Sequence, residues 1–232
     1  MNRLYRRCQR LDLRLKHVAE VGVYLPETSN ILGFIQDGLR TTLVEADPQT
    51  SEKIRTYFRA APHVTLHNVA VTDQAGTVEL VRRAASTFLA DIKQSPAVVN
   101  DHYELRDADR FQVTGVPFEQ LDDGTIDLLS IDIEGAEWLV IKHLRSRPAI
   151  ISVETHGKFY HNPHLAAIRS WMQAEGYAEW YLDNSDTVFV RREVWQPTSL
   201  ARLRRTLTRL KLSLDRGWYH LKEGVRGPRK IQ

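Results

Sequence analysis

Residues 127–137, Asp-Leu-Leu-Ser-Ile-Asp-Ile-Glu-Gly-Ala-Glu, form a short apolar run that ends in carboxylates and a glycine. A run of Leu and Ile of this length, bounded by turn residues, is typical of a buried strand in a parallel sheet. Gly135 allows the chain to turn, and residues 135–146 have the apolar spacing of a helix. Ligands bind at the carboxyl edge of open parallel sheets, so we expect Asp132 and Glu134 to face a crevice.

Strand-like and helix-like patterns alternate along residues 17–192, which predicts an α/β fold with a mostly parallel sheet. The predicted strands are 17–23, 41–46, 63–71, 76–82, 126–132 and 149–155, and the predicted helices are 26–38, 48–60, 135–146 and 163–175. Residues 177–182 and 187–192 flank the turn signal Asp183-Asn-Ser-Asp186, so the sheet is expected to end in an antiparallel hairpin. Residues 84–112 have no sustained period and are expected to form a mobile loop or an inserted lid.

Basic residues are concentrated at the two ends of the chain. Residues 1–16 hold six Arg or Lys against one Asp, and residues 198–232 hold ten against two acidic residues, although the whole chain carries only +3. The body between them is therefore acidic, which argues against a nucleic-acid groove and indicates an anionic partner for the ends. These features divide the chain into a basic N-terminal arm (1–16), a central domain (17–192) and a basic C-terminal segment (193–232).

Cysteine content and hydropathy restrict the compartment. Cys8 is the single cysteine, which excludes an intramolecular disulfide and a zinc cluster built from cysteines. No window approaches eighteen consecutive apolar residues, and the opening residues lack the apolar stretch of a secretory signal. We therefore expect a cytoplasmic protein, with peripheral attachment at the inner membrane face as a further expectation.

The C-terminal segment is predicted to form an amphipathic helix over residues 198–225, with its basic residues largely off the apolar face. The apolar stripe consists of Leu200, Leu203, Leu207, Leu210, Leu214 and Trp218. This spacing suits an anionic membrane surface, a coiled-coil seam in a homo-oligomer, or packing on the body. Among these alternatives, the net positive charge of the segment favours the anionic membrane surface. The N-terminal arm has a similar short stripe at Leu4, Cys8, Leu11 and Leu15.

The first predicted strand ends at Gly22, and Glu45 lies 23 residues later at the end of the next strand. At this position of a nucleotide-binding unit, a carboxylate accepts hydrogen bonds from both ribose hydroxyls of an adenosine group. The alternative is that Glu45 is a solvated residue at the end of its strand and binds no ligand. The pattern G-x-G-x-x-G is absent and Glu27 would repel a pyrophosphate, so a ligand without pyrophosphate fits better.

Carboxylates and a histidine gather at the ends of the two following strands. Asp132 ends one strand, and Glu154 and His156 end the next. Together they offer a candidate general base and oxygen-rich ligands for Mg²⁺ or Mn²⁺. Taken singly, each could be a helix cap or a hydrogen-bonded buried group.

Five segments match one known family in order and spacing. Residues 127–137 fit its signature D-x-L-K-x-D-x-E-G-x-E, with Ser130 in place of the usual Lys. The other segments are Glu20-Val-Gly22, Val44-Glu-Ala-Asp-Pro48, Asn68-Val-Ala-Val-Thr-Asp73 and Ser152-Val-Glu-Thr-His156. On these motifs the chain resembles the FkbM-type methyltransferases, which use S-adenosylmethionine on a Rossmann-like seven-stranded sheet. The resemblance covers residues 17–192.

This resemblance implies a class I methyltransferase fold, S-adenosylmethionine as cofactor, and methyl transfer to a hydroxyl. The acceptor is expected to be a small molecule or a glycan: a sugar in a polysaccharide, glycolipid or glycosylated natural product. Because Gly22 is not followed by further small residues, we expect the side chains of Thr28, Ser29 and Asn30 to contact the methionine group. The expected cofactor-binding residues are Glu20, Gly22, Ser29, Asn30, Glu45, Asn68 and Asp132.

Catalysis is assigned to three residues. His156 is expected to take the proton of the acceptor hydroxyl, with Asp132 or Glu154 orienting it or the acceptor. In a variant of this mechanism, the same three residues hold a divalent cation that lowers the pKa of the acceptor. The alternative function is a non-catalytic Rossmann-like protein that binds a membrane or another protein.

Overall fold

The computed structural model of the protein describes residues 2–11, 13–83, 86–89, 107–157, 160–183 and 185–226. In this part of the chain the strands are β1 (His17–Val21), β2 (Arg40–Val44), β3 (Val64–His67), β4 (Ala70–Val71), β5 (Gly76–Arg83), β6 (Ser86–Leu89), β7 (Arg110–Val116), β8 (Leu128–Ile131), β9 (Ile150–Glu154), β10 (Tyr177–Leu182) and β11 (Asp186–Arg191). The α-helices are α1 (Arg3–Gln9), α2 (Leu32–Gln36), α3 (Pro48–Tyr57), α4 (Glu137–Ile141), α5 (Leu165–Ala174) and α6 (Ser199–Arg226).

Seven strands form the main sheet in the order β3-β2-β1-β8-β9-β11-β10. All are parallel except β11, which runs antiparallel to both β9 and β10. The prediction of a mostly parallel, Rossmann-like sheet that ends in a hairpin is thus confirmed. The strand order reverses beside β1, because β2 lies on one side of it and β8 on the other. Such a reversal opens a crevice at the carboxyl ends of the strands.

Two predicted helices are shorter in the structure. The predicted helix 26–38 consists of a 3₁₀ turn, Pro26–Thr28, followed by α2. The helix is interrupted because the amide of Asn30 donates to the carboxylate of Glu20 at 2.8 Å instead of to a helix carbonyl. The predicted helix 135–146 is reduced to α4.

A second, four-stranded sheet in the order β4-β7-β5-β6 was missed in the prediction for residues 84–112. Strand β6 and the start of β7 fall in this range, and residues 90–106 lie outside the described part of the chain. The guanidinium of Arg82 on β5 contacts both carboxylate oxygens of Asp47 at 2.6 Å. This ion pair fixes the second sheet beside the carboxyl end of β2.

The N-terminal arm is packed on the central domain rather than extended from it. Leu4, Tyr5 and Cys8 of α1 are buried in the core. The ring of Tyr5 lies 4.9 Å from that of Phe34 in an edge-on contact. Gly33 makes this packing possible, since a Cβ atom there would lie 2.6 Å from the Tyr5 ring. Leu4 and Cys8 of the N-terminal stripe therefore pack in the core and are not available to a membrane surface.

The predicted C-terminal helix is confirmed as α6, which contacts β10. None of the helices in the part of the chain that the structure describes has the length and apolar character needed to cross a lipid bilayer.

Candidate active site

A cavity of about 670 Å³ opens where the carboxyl ends of β1, β2 and β8 meet. The ends of the main sheet contribute Gly22, Glu45 and Asp132 to its wall, and the second sheet contributes Leu80 and Phe88. The crevice predicted at the carboxyl ends of the strands is therefore present and partly covered by the second sheet. Its size suits a ligand of several hundred daltons.

Gly22 follows β1 and has a left-handed backbone conformation with φ of +84°. Its amide donates to the carbonyl oxygen of Val44 at 2.9 Å, so it still pairs with β2. A Cβ atom at this position would lie 1.8 Å from the carbonyl oxygen of Asp132. A glycine is therefore required for β1 and β8 to end side by side at the cavity.

Glu20 is a buried carboxylate on β1 that fixes the loop after Gly22. Its oxygens accept hydrogen bonds from the hydroxyl of Ser29 at 2.5 Å and the amide of Asn30 at 2.8 Å. Burial raises the pKa of Glu20 to about 7. Both Glu20 and Asn30 line the cavity. The loop is thus held in place, with Asn30 at the wall of the cavity.

Glu45 lines the cavity at the end of β2 and binds the first loop as well. One carboxylate oxygen accepts from the amides of Val23 at 3.2 Å and Tyr24 at 3.1 Å, and the other accepts from the amide of Asp47 at 2.8 Å. Tyr24 has a φ of +53°, which is uncommon outside glycine. A carboxylate oxygen can accept two hydrogen bonds, so the second oxygen retains an acceptor position.

Ser29 and Asn68, which the sequence predicts to bind the cofactor, do not line the cavity. The hydroxyl of Ser29 is turned toward Glu20. The side-chain amide of Asn68 donates to the carbonyl oxygens of Glu45 at 2.8 Å and Ala46 at 3.0 Å. Both residues therefore position groups of the cavity wall.

Glu137 organises the loop after β8. Its buried carboxylate accepts from the amides of Ile133 and Gly135, both at 3.0 Å, and from the side chain of Asn162. Within this loop Glu134 has a φ of +58°. Strained backbone of this kind persists where surrounding contacts fix it, and it is frequent at functional sites. The loop holds Asp132 at the cavity.

Three carboxylates cluster beside the cavity: Asp132, Glu137 and Glu154 each place an oxygen within 4.8 Å of the others. Burial and the charge of Asp132 raise the pKa of Glu154 far above its usual range. Burial and the charge of Asp186 likewise raise the pKa of Asp132. One oxygen of Glu154 has no hydrogen-bond partner among the described residues. The cluster can share a proton or hold a cation.

His156 does not join this cluster, contrary to the prediction. One ring nitrogen is hydrogen-bonded to the hydroxyl of Thr155 at 2.9 Å, and the other lies 2.9 Å from the carbonyl oxygen of Asp183. A carbonyl only accepts, so the second nitrogen carries a proton. Because both nitrogens are used and His156 does not line the cavity, a role as general base does not fit this geometry.

A comparison with protein families identifies the family of this chain. A model described as the methyltransferase FkbM domain matches residues 17–178. The chain belongs to the FkbM family of methyltransferases. The family predicted from the sequence motifs is thus confirmed, over most of the central domain. Among curated proteins, none matches the chain.

Several solved structures are similar to this FkbM methyltransferase. The methyltransferase domain of bacterial CtHen1 has 12% identity and a TM-score of 0.45, covering 81% of this chain and 96% of that one. A SAM-dependent methyltransferase from Aquifex aeolicus has 10% identity and a TM-score of 0.39, with 81% and 86% coverage. The N-terminal domain of EvdMO1, solved with SAH bound, has 12% identity and a TM-score of 0.44, with 80% and 78% coverage.

Two carboxylates of this FkbM methyltransferase were missed as candidate site residues. Glu137 is the last residue of the signature segment 127–137. Its position two residues after Gly135 is the sequence feature that could have identified it as a site residue. The sequence marks Asp186 as a turn residue. In the structure Asp186 lines the cavity and accepts hydrogen bonds from the hydroxyls of Ser152 and Ser185, both at 2.9 Å. Burial and the charge of Asp183 raise the pKa of Asp186 to about 6.

Proposed function

We propose that this FkbM methyltransferase transfers a methyl group from S-adenosylmethionine to a hydroxyl oxygen of a sugar. One observation carries the proposal: Gly22, Glu45 and Asp132 meet at a single cavity beside the point where the strand order reverses. Glu45 offers a carboxylate to ribose hydroxyls, and Asp132 offers a second one to the reacting group.

The residues around the first loop fit an adenosyl ligand with an amino-acid group. Glu45 retains an acceptor for a ribose hydroxyl, and the half-buried side chain of Asn30 lines the same cavity. The apolar side chains of Val69, Leu80 and Phe88 provide surfaces for a flat base. When bound, S-adenosylmethionine supplies an electrophilic methyl group on a sulfonium sulfur, which keeps the electron pair of the broken C–S bond.

Asp132 is the group we assign to the acceptor proton. As the acceptor oxygen forms its new bond to carbon, its hydroxyl proton must pass to a base within hydrogen-bond reach. The raised pKa of Asp132 makes its carboxylate a stronger base than an exposed one. A proton held on the neighbouring Glu154 would reduce the negative charge of the cluster and so favour the ionised form of Asp132. His156 then acts as a positioning residue that ties the end of β9 to the β10–β11 turn.

The cavity wall favours a carbohydrate acceptor. Beside Asp132 it contains Asp183 and Ser185 from the turn between β10 and β11, Asp186 at the start of β11, and Thr87 from β6. Carboxylates and hydroxyls in this density suit a ligand that presents several hydroxyl groups, because each can be paired. A purely apolar acceptor would leave these groups without partners.

A divalent cation is a variant of the same function. Asp132, Glu137 and Glu154 offer an all-oxygen set within 4.8 Å, which suits Mg²⁺ or Mn²⁺ better than the predicted set with His156. Such an ion would offset the carboxylate charges and lower the pKa of a bound hydroxyl. Turnover that survives exhaustive chelation would exclude this variant.

The test uses glycan extracts from cells that lack the gene. We expect purified protein and methyl-labelled S-adenosylmethionine to label a carbohydrate in these extracts, with each product one methyl group heavier by mass spectrometry. Asp132→Asn is the matched control and should bind the cofactor without labelling. Label on nitrogen or protein would contradict sugar O-methylation, and cofactor binding without transfer to any acceptor would favour the non-catalytic alternative.

A further inference from the structure

Helix α6 presents an apolar face that points away from the protein. The leucine stripe, defined as Leu200, Leu203, Leu207, Leu210 and Leu214, is between 54% and 74% exposed at every position. An α-helix turns about 100° per residue, so these five positions share one narrow face. Five exposed leucines on one face leave far more apolar surface in contact with water than a helix normally does.

The contacts of α6 with the body fix this orientation. The half-buried positions of the helix are Ala201, Arg205, Thr208 and Leu212, which lie on the face opposite the stripe. Arg205 donates to the backbone carbonyl of Glu179 on β10, and Arg209 forms an ion pair with its carboxylate. The helix is therefore attached through its polar face, and the leucines are left outward.

Positive charge surrounds the stripe. From 199 to 214 the helix has five Arg or Lys and no acidic residue. Beside it lies a cleft of about 470 Å³ whose lining includes Arg3 and Arg7 of α1, Arg204 and Arg205 of α6, and Trp195. None of the described residues that line this cleft is acidic.

The arginines of this cleft are close enough to repel one another. Arg7 stacks on the ring of Tyr181 at 4.2 Å and Arg3 stacks on the same ring at 4.6 Å. Burial and the charges of Arg3 and Arg204 lower the pKa of Arg7. Like charges held together are stabilised when an anion lies between them. The hydroxyl of Tyr181, on a side chain that is 4% exposed, has no hydrogen-bond partner among the described residues.

We propose that the leucine stripe and the arginine cleft together bind the surface of an anionic phospholipid bilayer. The leucines enter the boundary between headgroups and acyl chains, and the arginines contact headgroup phosphates. Arg3 lines both the cleft and the active-site cavity, so this surface places the cavity mouth near the bilayer. The inference does not depend on the methyl acceptor.

A second copy of the chain fits the leucine stripe less well than an anionic bilayer does. In a coiled coil built on the stripe, Arg204 and Lys211 would flank the seam, where stable pairs place opposite charges. The described side chains of α6 include no acidic residue that could pair with them.

Flotation of the full-length protein with lipid vesicles tests the proposal. We expect the protein to float with vesicles of phosphatidylglycerol and phosphatidylcholine, and not with phosphatidylcholine alone. Leu203→Gln with Leu207→Gln should weaken binding by at least about tenfold, because two leucines lose their apolar contact. Thr206→Gln with Ser213→Gln, at exposed positions of the same helix, is the matched control and should bind normally.

A second pair of variants tests the charge. Arg204→Gln with Lys211→Gln should weaken binding by roughly 25-fold, since each basic residue near an anionic surface strengthens it about fivefold. Lys53→Gln with Arg59→Gln removes the same charge from exposed positions near α3 and should have little effect. All variants should unfold at the wild-type temperature, because the changed side chains are exposed. Equal flotation of wild type and the leucine variant, or a stripe-dependent dimer that does not float, would overturn the proposal.

Discussion

Replacement of Glu45 by alanine should damage the fold and the cofactor site together. The carboxylate accepts hydrogen bonds from the amides of Val23, Tyr24 and Asp47, so the variant leaves three backbone donors without a partner. A buried donor left unsatisfied costs about 1–3 kcal/mol. Tyr24 is 42% exposed and water can replace its bond, whereas Asp47 is 3% exposed. We therefore expect the unfolding free energy to fall by about 3 kcal/mol, or roughly 6–12 °C in Tm.

Cofactor binding should fall in the same variant. If the carboxylate accepts from a ribose hydroxyl, its loss costs about 1.5–3 kcal/mol, which is roughly a 10- to 150-fold increase in Kd. Thermal unfolding and calorimetric titration with S-adenosylmethionine measure the two effects. Glu52→Ala, at an exposed position of α3, is the control and should change neither. A Glu45→Ala protein with wild-type Tm would refute the role of the three amides, and wild-type affinity would remove Glu45 from the cofactor site.

Three further predictions concern the carboxylates and the first loop. Asp132→Asn should reduce labelling of the glycan acceptor by about 10²–10⁴-fold while Tm is kept or raised, because a base is lost and a buried charge removed; full turnover would exclude Asp132 as the base. Glu20 and Glu137 have pKa values raised by burial to about 7, so the folded protein binds more protons than the unfolded chain between about pH 4 and pH 7. Stability should therefore fall as pH rises through this window, by up to about 1.4 kcal/mol per pH unit for each group, and denaturant titrations that show the opposite slope would contradict the burial of these groups. Gly22→Ala should fail to fold or lose several kcal/mol, since its Cβ would lie 1.8 Å from the Asp132 carbonyl oxygen, and a stable variant in urea titration would show that the loop can move apart.

The parallel strands were predictable because their signal is local. Apolar runs such as residues 126–132 and 149–155 need burial on both faces, and the hairpin around Asp183–Asp186 is marked by its turn residues. In the second sheet, residues 76–82 also had a strand pattern, but β6 and β7 had none. Strand β5 pairs with β7 across more than twenty intervening residues, and β7 gains its strand conformation from that pairing. Local pattern could not show it.

Within the active site, the sequence alone determined which residues gather at the strand ends, because strand ends in a parallel sheet meet at one edge. It placed Gly22, Glu45 and Asp132 correctly at the cavity. The tertiary structure alone decided which of these side chains remain available. His156 is hydrogen-bonded to the carbonyl oxygen of Asp183, and the hydroxyl of Ser29 is turned toward Glu20. Glu137 lies beside the other carboxylates because its own oxygens accept hydrogen bonds from the backbone of the loop after β8. Hydrogen bonds that form only in the folded chain fix the direction of these side chains, and no local sequence pattern encodes that direction.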